Sequence, residues 1–454
     1  MREFRTMKYH FKTNKEEKKL LKFLCRISKN VYNCALYDLR QQYFKDKSIC
    51  SYFELNKIIS NNINYHILNT YQSICTIRLA HSNMEKYIKY HNPDGTLNTL
   101  GYKHSLEKDP TSFPKYKKKK ALMPLVTDQI RPIWYEGKKC IKLPLSNLTR
   151  TSKVFNQIFE DELINTFIKE SELKKSFNIF FKIPKELYDK KIVQFRIIPD
   201  SKGTEFNVEF TYEIEIIKED KEIKKSIAID LGISNLASIV TTDNKSFIID
   251  GKYLKSLNRY YNKKKSYYQS LLPKDIYTSK KIENLDKRRN NQVKDYLNKA
   301  VSIIINKCKE EQIDEIIIGY NKGLKTGGIK NTILKGKKKR KTNQSFIQIP
   351  ISRFKDKIKL KAYENNIKVR IINESYTSKS SFYDNDPVEK DKYSGERIKR
   401  GLYKTKENKI VNADINAALN IYKKYIIKSN STDDKINYLM SRGITIPSRV
   451  IVRL

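Results

Sequence analysis

Three carboxylates in the C-terminal half of this chain sit where chain geometry could bring them to one point: Asp230 in "SIAIDLGISN", Glu374 in "VRIINESYTSKSS" and Asp414 in "VNADINAALNIYKK". Acids delivered from distant segments are what metal-dependent phosphodiester hydrolysis requires. They gather one or two Mg²⁺ (or Mn²⁺) ions that stabilise the attacking and leaving oxygens of an in-line displacement. Asp230 interrupts an apolar strand, where a charge is costly unless it is paired or metal-bound. The competing reading is a buried Asp satisfied by the amides of Leu231 and Gly232. Asp414 opens a helix whose Ala417, Ala418 and Leu419 allow tight packing against a sheet edge. Its competing reading is an N-cap, a position that Asp favours.

The third acid is less direct. The strand "DEIIIG" ends at Gly319 with no acid at its C-terminal end. Asp314 and Glu315 stand at its start, about 13 Å away and on the wrong edge of a sheet. Glu374 ends the next strand, "IKVRIINE", which lies one strand further out by about 4.8 Å. A loop curling back over Gly319 would bring it in range, with the glycine leaving room. The competing reading is a solvated loop acid. Asp230, Glu374 and Asp414 are therefore the expected catalytic residues and Mg²⁺ ligands. Asp384 and Asp386 read as turn acids, with a water-mediated metal contact as the alternative.

Positioning these acids needs a sheet. "SIAIDLGISNLASIVTTDNKSFIIDG" reads as three strands with a turn at "TTDNK". Long basic helices follow over 253–313, then the strand "DEIIIG", a helix over 351–366, the strand "IKVRIINE", and the helix opened by "NADINAALNIYKKYII". Three antiparallel strands, then helix, strand, helix, strand and helix, is the order of an RNase H-like α/β fold. The N-terminal half differs. Residues 1–12 read as a strand, 14–44 as a helix with Leu20, Leu21, Leu24, Ile27, Val31 and Ala35 at helical spacing, and 52–90 as two more helices parted near 61–65. Residues 91–120 form a long polar loop. Short strands occupy 121–218, with a helical patch at 158–175, and 428–454 reads as an irregular tail.

Composition names the partner class. The 454 residues carry 92 Lys plus Arg against 50 Asp plus Glu, a net charge of +42. Charge of that size repels itself and calls for a polyanion, with nucleic acid leading and an anionic membrane surface second. The chain shows no export signal and no apolar run near the roughly 20 residues a span needs. Cys25, Cys34, Cys50, Cys75, Cys140 and Cys308 form no CxxC pair, and every histidine lies at or before His104. This argues against a Cys/His zinc site, above all in the C-terminal half, and suits a reducing cytoplasm. The densest charge runs are "KYKKKK", with Lys117, Lys118, Lys119 and Lys120, and "KGKKKRK", with Lys338, Lys339 and Arg340. Both are expected to meet phosphates. Tyr376, beside Glu374, is a candidate stacking aromatic among 30 tyrosines.

Taken together, "IAIDLGISNLASI", "IIIGYNKGLK", "NQSFIQIPISRF", "ESYTSKSSFYDND", "KRGLYKT" and "NADINAALNI" resemble the transposon-encoded TnpB nucleases, relatives of the type V CRISPR effectors. The resemblance is close over residues 225–424 and looser before them, where "FPKYKKKK" and "IKLPL" match best. It implies an N-terminal β-barrel wedge domain (1–12 and 112–222) with a helical recognition insertion and loop (13–111). A RuvC-like nuclease domain follows (223–425), carrying a basic lid insertion near 320–345 and a target-loading loop at 375–411, and then a tail (426–454). It implies a transposon-derived guide RNA, a double-stranded DNA target beside a short flanking motif, and cleavage at a single RuvC site. The protein would be monomeric with its RNA, cytoplasmic and nucleoid-associated, with no membrane partner. On this resemblance Asp230 is the first RuvC acid and Asp414 the last. The usual glutamate position falls at Gly319, and "ESYTSK" matches the subgroup in which the glutamate has moved, which points to Glu374. Arg288 and Arg289 would contact guide or heteroduplex. Family members often carry a zinc ribbon before the last acid; residues 375–413 hold no Cys or His, so no zinc is expected there. An RNA-guided DNA-binding repressor without cleavage, and a DNA transposase, are the alternative functions.

Overall fold

The computed structural model describes residues 2–101, 112–146, 179–215, 223–321, 349–399, 401–429 and 434–452. The chain divides into two compact units, Met1–Glu219 and Asp220–Leu454.

In the first unit, strand β1 (Arg2–Phe11) pairs antiparallel with β7 (Phe206–Glu215) along its whole length. β6 (Ile192–Pro199) and β2 (Leu125–Thr127) extend this sheet in the order β1-β7-β6-β2. β3 (Pro132–Tyr135), β4 (Lys138–Lys142) and β5 (Phe180–Lys182) form a second small sheet. Helices α1 (Lys15–Asp46), α2 (Tyr52–Ile59), the short α3 (Ile63–Ile67) and α4 (Thr70–Tyr90) lie in the chain between β1 and β2. The sequence places only two helices over 52–90; the single turn of α3 fills the expected break. α1 starts at a reciprocal capping box, in which Asn14 and Glu17 each accept from the other's backbone amide, and it ends at Lys47 in the left-handed region. The helical patch expected at 158–175 lies outside the described residues.

The second unit is built on a six-stranded sheet in the order β12-β11-β8-β9-β10-β16. β8 (Ser226–Leu231), β9 (Asn235–Thr241) and β10 (Ser246–Asp250) are antiparallel neighbours. β11 (Glu315–Gly319) runs parallel to β8, and β12 (Lys368–Ile372) parallel to β11. The first five strands thus take the RNase H-like order, with the first strand central.

Because strand side chains alternate faces, β8 divides its residues between two cores. Ile227, Ile229 and Leu231 pack with helices α5 (Lys252–Ser270), α6 (Lys280–Glu310) and α7 (Ile351–Tyr363). Ala228 faces the opposite core with α8 (Ala413–Lys428) and α9 (Asp434–Ser441). The same alternation turns Asp230 and Gly319 toward the α8 face. A separate three-stranded sheet, β13 (Glu396–Lys399), β14 (Leu402–Lys404) and β15 (Ile410–Asn412), leads into α8.

The tail corrects the sequence reading. Residues 434–441 form α9, and β16 (Ser448–Val450) adds a parallel strand beside β10, with Phe247 opposite Ser448 and Ile249 opposite Val450. A three-residue strand carries too little periodicity to be read locally; its pairing exists only against a partner some 200 residues earlier.

Candidate active site

Asp230 stands one residue from the C-terminal end of the central strand, opposite Ser238 of β9. Gly319 ends the neighbouring strand and is in register with Ile372, the last residue of β12. Glu374 lies two residues further on, and a Cβ built on Gly319 would stand 3.4 Å from the Glu374 Cβ. Glu374 therefore hangs over the glycine. Asp414 enters from the first turn of α8, whose Ala418, Leu419 and Ile421 pack on the same face of the sheet.

Capping does not consume Asp414. Asn412 is the N-cap, its Oδ1 accepting from the amides of Asp414 (3.0 Å) and Ile415 (3.1 Å). The Asp414 carboxylate instead accepts from Asn235 Nδ2 at 2.6 Å and from Arg397 Nη2 at 3.2 Å. Nor do the loop amides satisfy Asp230, since the Gly232 amide donates to the Leu236 carbonyl. Desolvation, then the carboxylates of Glu374 and Asp414, push the Asp230 carboxyl up to about 8, with Arg397 opposing. Desolvation also raises Glu374. The three acids share one electrostatic field, although among the described residues no three His, Cys, Asp or Glu side chains stand at metal-ligating spacing. A buried carboxylate beside two further carboxylates supplies the kind of oxygen donors a hard divalent cation takes.

Two partners in this cluster escaped the sequence reading. Arg397 is one more cation in a basic chain, and only its ion pair with Asp414 distinguishes it. Asn235 carried a signal: it is an amide opening the otherwise buried strand "NLASIVT".

The segment without zinc ligands is pinned by α8. The Asn416 Oδ1 accepts from the Phe382 amide (2.9 Å) and its Nδ2 donates to the Ser380 carbonyl (2.8 Å). Asn420 donates to the carbonyls of Thr377 and Ser380, and Lys424 to that of Ser375. Asp386 accepts from the amides of Ser381 and Ser394 within its own loop, whereas Asp384 accepts from the Lys406 amide and ties the loop to the β14–β15 turn. Tyr376, half-exposed, follows Glu374 by two residues and holds a left-handed φ of 69°, a conformation that costs a bulky residue roughly 1–3 kcal/mol.

The family matches fall mostly on this unit. Residues 209–325 match the OrfB_IS605 family, described as a probable transposase, and residues 352–421 match the Cas12f1-like TNB domain. Over these two stretches the chain is similar to transposon-encoded and Cas12f1-like proteins. No curated protein matches its sequence. Among solved structures, it is similar to a Cas12f1–sgRNA–target DNA complex with a TM-score of 0.55 at 13% identity, over 90% of this chain and 83% of that one. A CRISPR-Cas12f ternary complex matches at 14% identity over 90% and 82%, with a TM-score of 0.31. The first likeness supports a shared multidomain α/β fold. The TNB match spans the α8-pinned segment and β13–β15.

The basic residues separate into classes. Lys117–Lys120 are exposed on an extended strap laid along α1: Asn33 exchanges two hydrogen bonds with the Lys117 backbone, and Lys29 Nζ donates to the Lys119 carbonyl. Arg288 faces outward on α6. Arg289 faces inward instead, its Nε donating to Asn258 Oδ1 at 2.8 Å and its guanidinium 5.5 Å from the Tyr261 ring, so it joins α6 to α5. Lys338, Lys339 and Arg340 lie outside the described residues. No described helix is long and apolar enough to cross a membrane.

Proposed function

We propose that this TnpB-like protein is an RNA-guided DNA endonuclease. A guide RNA would pair with one strand of a double-stranded target beside a short flanking motif, and base pairing, not protein side chains, would read the sequence. One site, made of Asp230, Glu374 and Asp414, would hydrolyse the backbone. The observation that supports this reading is at Asp230, on a central strand end: burial first, and then the carboxylates of Glu374 and Asp414 from two distant segments, raise its carboxyl. Bound Mg²⁺ would supply charge neutralisation and an activated water at these oxygens. Asn235 and Arg397 hold the Asp414 carboxylate from two sides, and Gly319 clears the space Glu374 occupies. The exposed lysines of the strap and Arg288 would track phosphates.

The test is cleavage of matched double-stranded DNA, in Mg²⁺, by protein purified with its co-expressed RNA. Wild type should cut, while Asp230→Ala and Glu374→Ala bind equally and fail to cut. Equal cutting by Glu374→Ala would remove Glu374 from the site. A second reading, an RNA-guided repressor without cleavage, is favoured by one observation: the acids do not stand at ligating spacing while Arg397 pairs with Asp414. Wild type that binds matched DNA without cutting it would establish that reading.

A further inference from the structure

The helical part of the first unit contains an open cavity of about 530 Å³, a size suited to a small ligand. One wall is a face of α1 carrying Asn33, Tyr37 and Asp38. Opposite it stand Asn61 and Asn62 at the end of α2, and Tyr116 of the strap closes one side. The four exposed lysines Lys117–Lys120 follow Tyr116 directly.

The polar groups of this cavity are not equally available. Asn33 is committed in both directions to the Lys117 backbone. Asn62 accepts from the Asn64 amide and donates to Cys34 Sγ. Among the described residues Asp38 has no hydrogen bond or ion pair, despite lying in a chain of net charge +42. Burial alone raises its carboxyl above the ordinary value, as expected of an acceptor without a donor. Tyr37 is 54% exposed, so its ring is open to a visiting π-face; Tyr116 is 41% exposed and carries the Arg40 guanidinium 4.5 Å from its ring centroid, a cation that adds to the stacking platform.

We propose that this cavity binds an unpaired guanine base of a nucleic-acid strand whose phosphates lie on the Lys117–Lys120 strap. Guanine alone among the common bases presents two adjacent Watson–Crick donors, N1–H and the 2-amino group, which one carboxylate accepts together. Adenine and cytosine set a single amino donor beside an acceptor nitrogen, and uracil sets its one imino donor between two carbonyls, so each would turn a lone pair toward Asp38. Stacking on tyrosine is sequence-tolerant; the carboxylate supplies the choice. This site is separate from the carboxylate cluster and does not depend on cleavage.

The test is fluorescence anisotropy with the full chain freed of co-purifying nucleic acid. The probes are oligouridine ten-mers carrying one central guanosine, adenosine, cytidine or inosine, and the corresponding oligothymidine DNAs. The guanosine probe should bind about tenfold or more tighter than the adenosine probe, as a bidentate contact allows, with inosine, which lacks the 2-amino group, between them. Asp38→Asn should erase that preference while leaving oligouridine affinity and the melting temperature unchanged. Preference in the RNA series alone would assign the base to an RNA strand; preference in the DNA series alone would assign it to DNA. Equal affinity for all probes, or a guanosine preference that survives Asp38→Asn, would overturn the proposal. As a check that needs no variant, 6-thioguanosine in the RNA probe should crosslink to Tyr37 or Tyr116, and crosslinks confined to other residues would overturn it too.

Discussion

Glu374 occupies the space above Gly319: a Cβ added to the glycine would stand 3.4 Å from the glutamate's Cβ and 2.2 Å from Cδ1 of Ile421. Ile421 is fully buried and cannot step aside. A glutamate returned to position 319 would therefore collide with α8, so the two positions exclude each other. Gly319→Ala should destabilise the second unit by about 1–3 kcal/mol, the usual cost of overpacking. Gly319→Glu should neither restore cutting to Glu374→Ala nor fold as well as wild type. Ile421→Val removes the nearest atom and should recover part of the Gly319→Ala loss, which thermal melts of the double variant would read. Additive losses would mean that Ile421 is not the obstacle.

Asp230 makes stability depend on pH. Its carboxyl is raised from 3.8 to about 8 in the folded chain. Between those values the folded state keeps a proton that the unfolded state has released. Its contribution is thus full below about pH 4 and is lost as pH rises toward 8, the opposite of a salt-bridged acid. The metal-free protein should lose on the order of a few kcal/mol over this range, at about 1.4 kcal/mol per unit before screening by its partial exposure. Asp230→Asn should flatten the slope, and Mg²⁺ added at pH 8 should raise the melting temperature of wild type more than that of the variant. Urea titrations at several pH values, with and without Mg²⁺, check both.

The sheet was legible because its inner strands are short apolar runs bounded by turns. Asp230 was legible for the same reason: a charge stands out in "SIAIDL". What stayed hidden are relationships between distant residues. The partners of Asp414 lie 17 and 179 positions away, and no local pattern ties a polar side chain to a carboxylate that far along the chain. Arg288 and Arg289 look alike in a helix basic on several sides; only packing against Asn258 and Tyr261 turns one of them inward. Asn416 and Asn420 did leave a trace, as two asparagines one turn apart on an otherwise apolar helix face.

Those asparagines fasten the loop that follows Glu374. Both are fully buried, and Asn416 satisfies the Phe382 amide. Asn416→Ala should leave that amide without a partner in a dry site and cost about 2–3 kcal/mol. The effect should be local. Hydrogen exchange should accelerate at Phe382 and across 375–387 while β8 and β11 stay protected, and cleavage should fall with DNA binding retained. Uniform acceleration across the sheet would instead mean that Asn416 supports the whole unit.

The tail reaches the candidate site through one amide. Arg449 of β16 donates from Nη1 to Asp250 Oδ2 (2.7 Å) and Asn235 Oδ1 (3.2 Å), and Asn235 Nδ2 donates to Asp414 Oδ2 (2.6 Å). The arginine thus fixes which end of the amide faces the acid. Partners that orient a ligating carboxylate typically matter 10–100-fold, so Asn235→Ala should weaken Mg²⁺ binding or cutting by about that factor with little change in melting temperature. Arg449→Ala should do the same but also destabilise, because it strands the mostly buried Asp250 carboxylate. Arg449→Lys, which keeps a charge for Asp250, should recover the stability more than the activity. Arg397→Gln separates the two sides of Asp414. Its ion pair is partly exposed and worth at most about 1 kcal/mol, so lost cutting without lost stability would assign Arg397 to the reaction. Calorimetric Mg²⁺ titration beside cleavage rates distinguishes the cases: a fall in both for Asn235→Ala is the expected result, and unchanged values in both would show that the tail is only an edge strand.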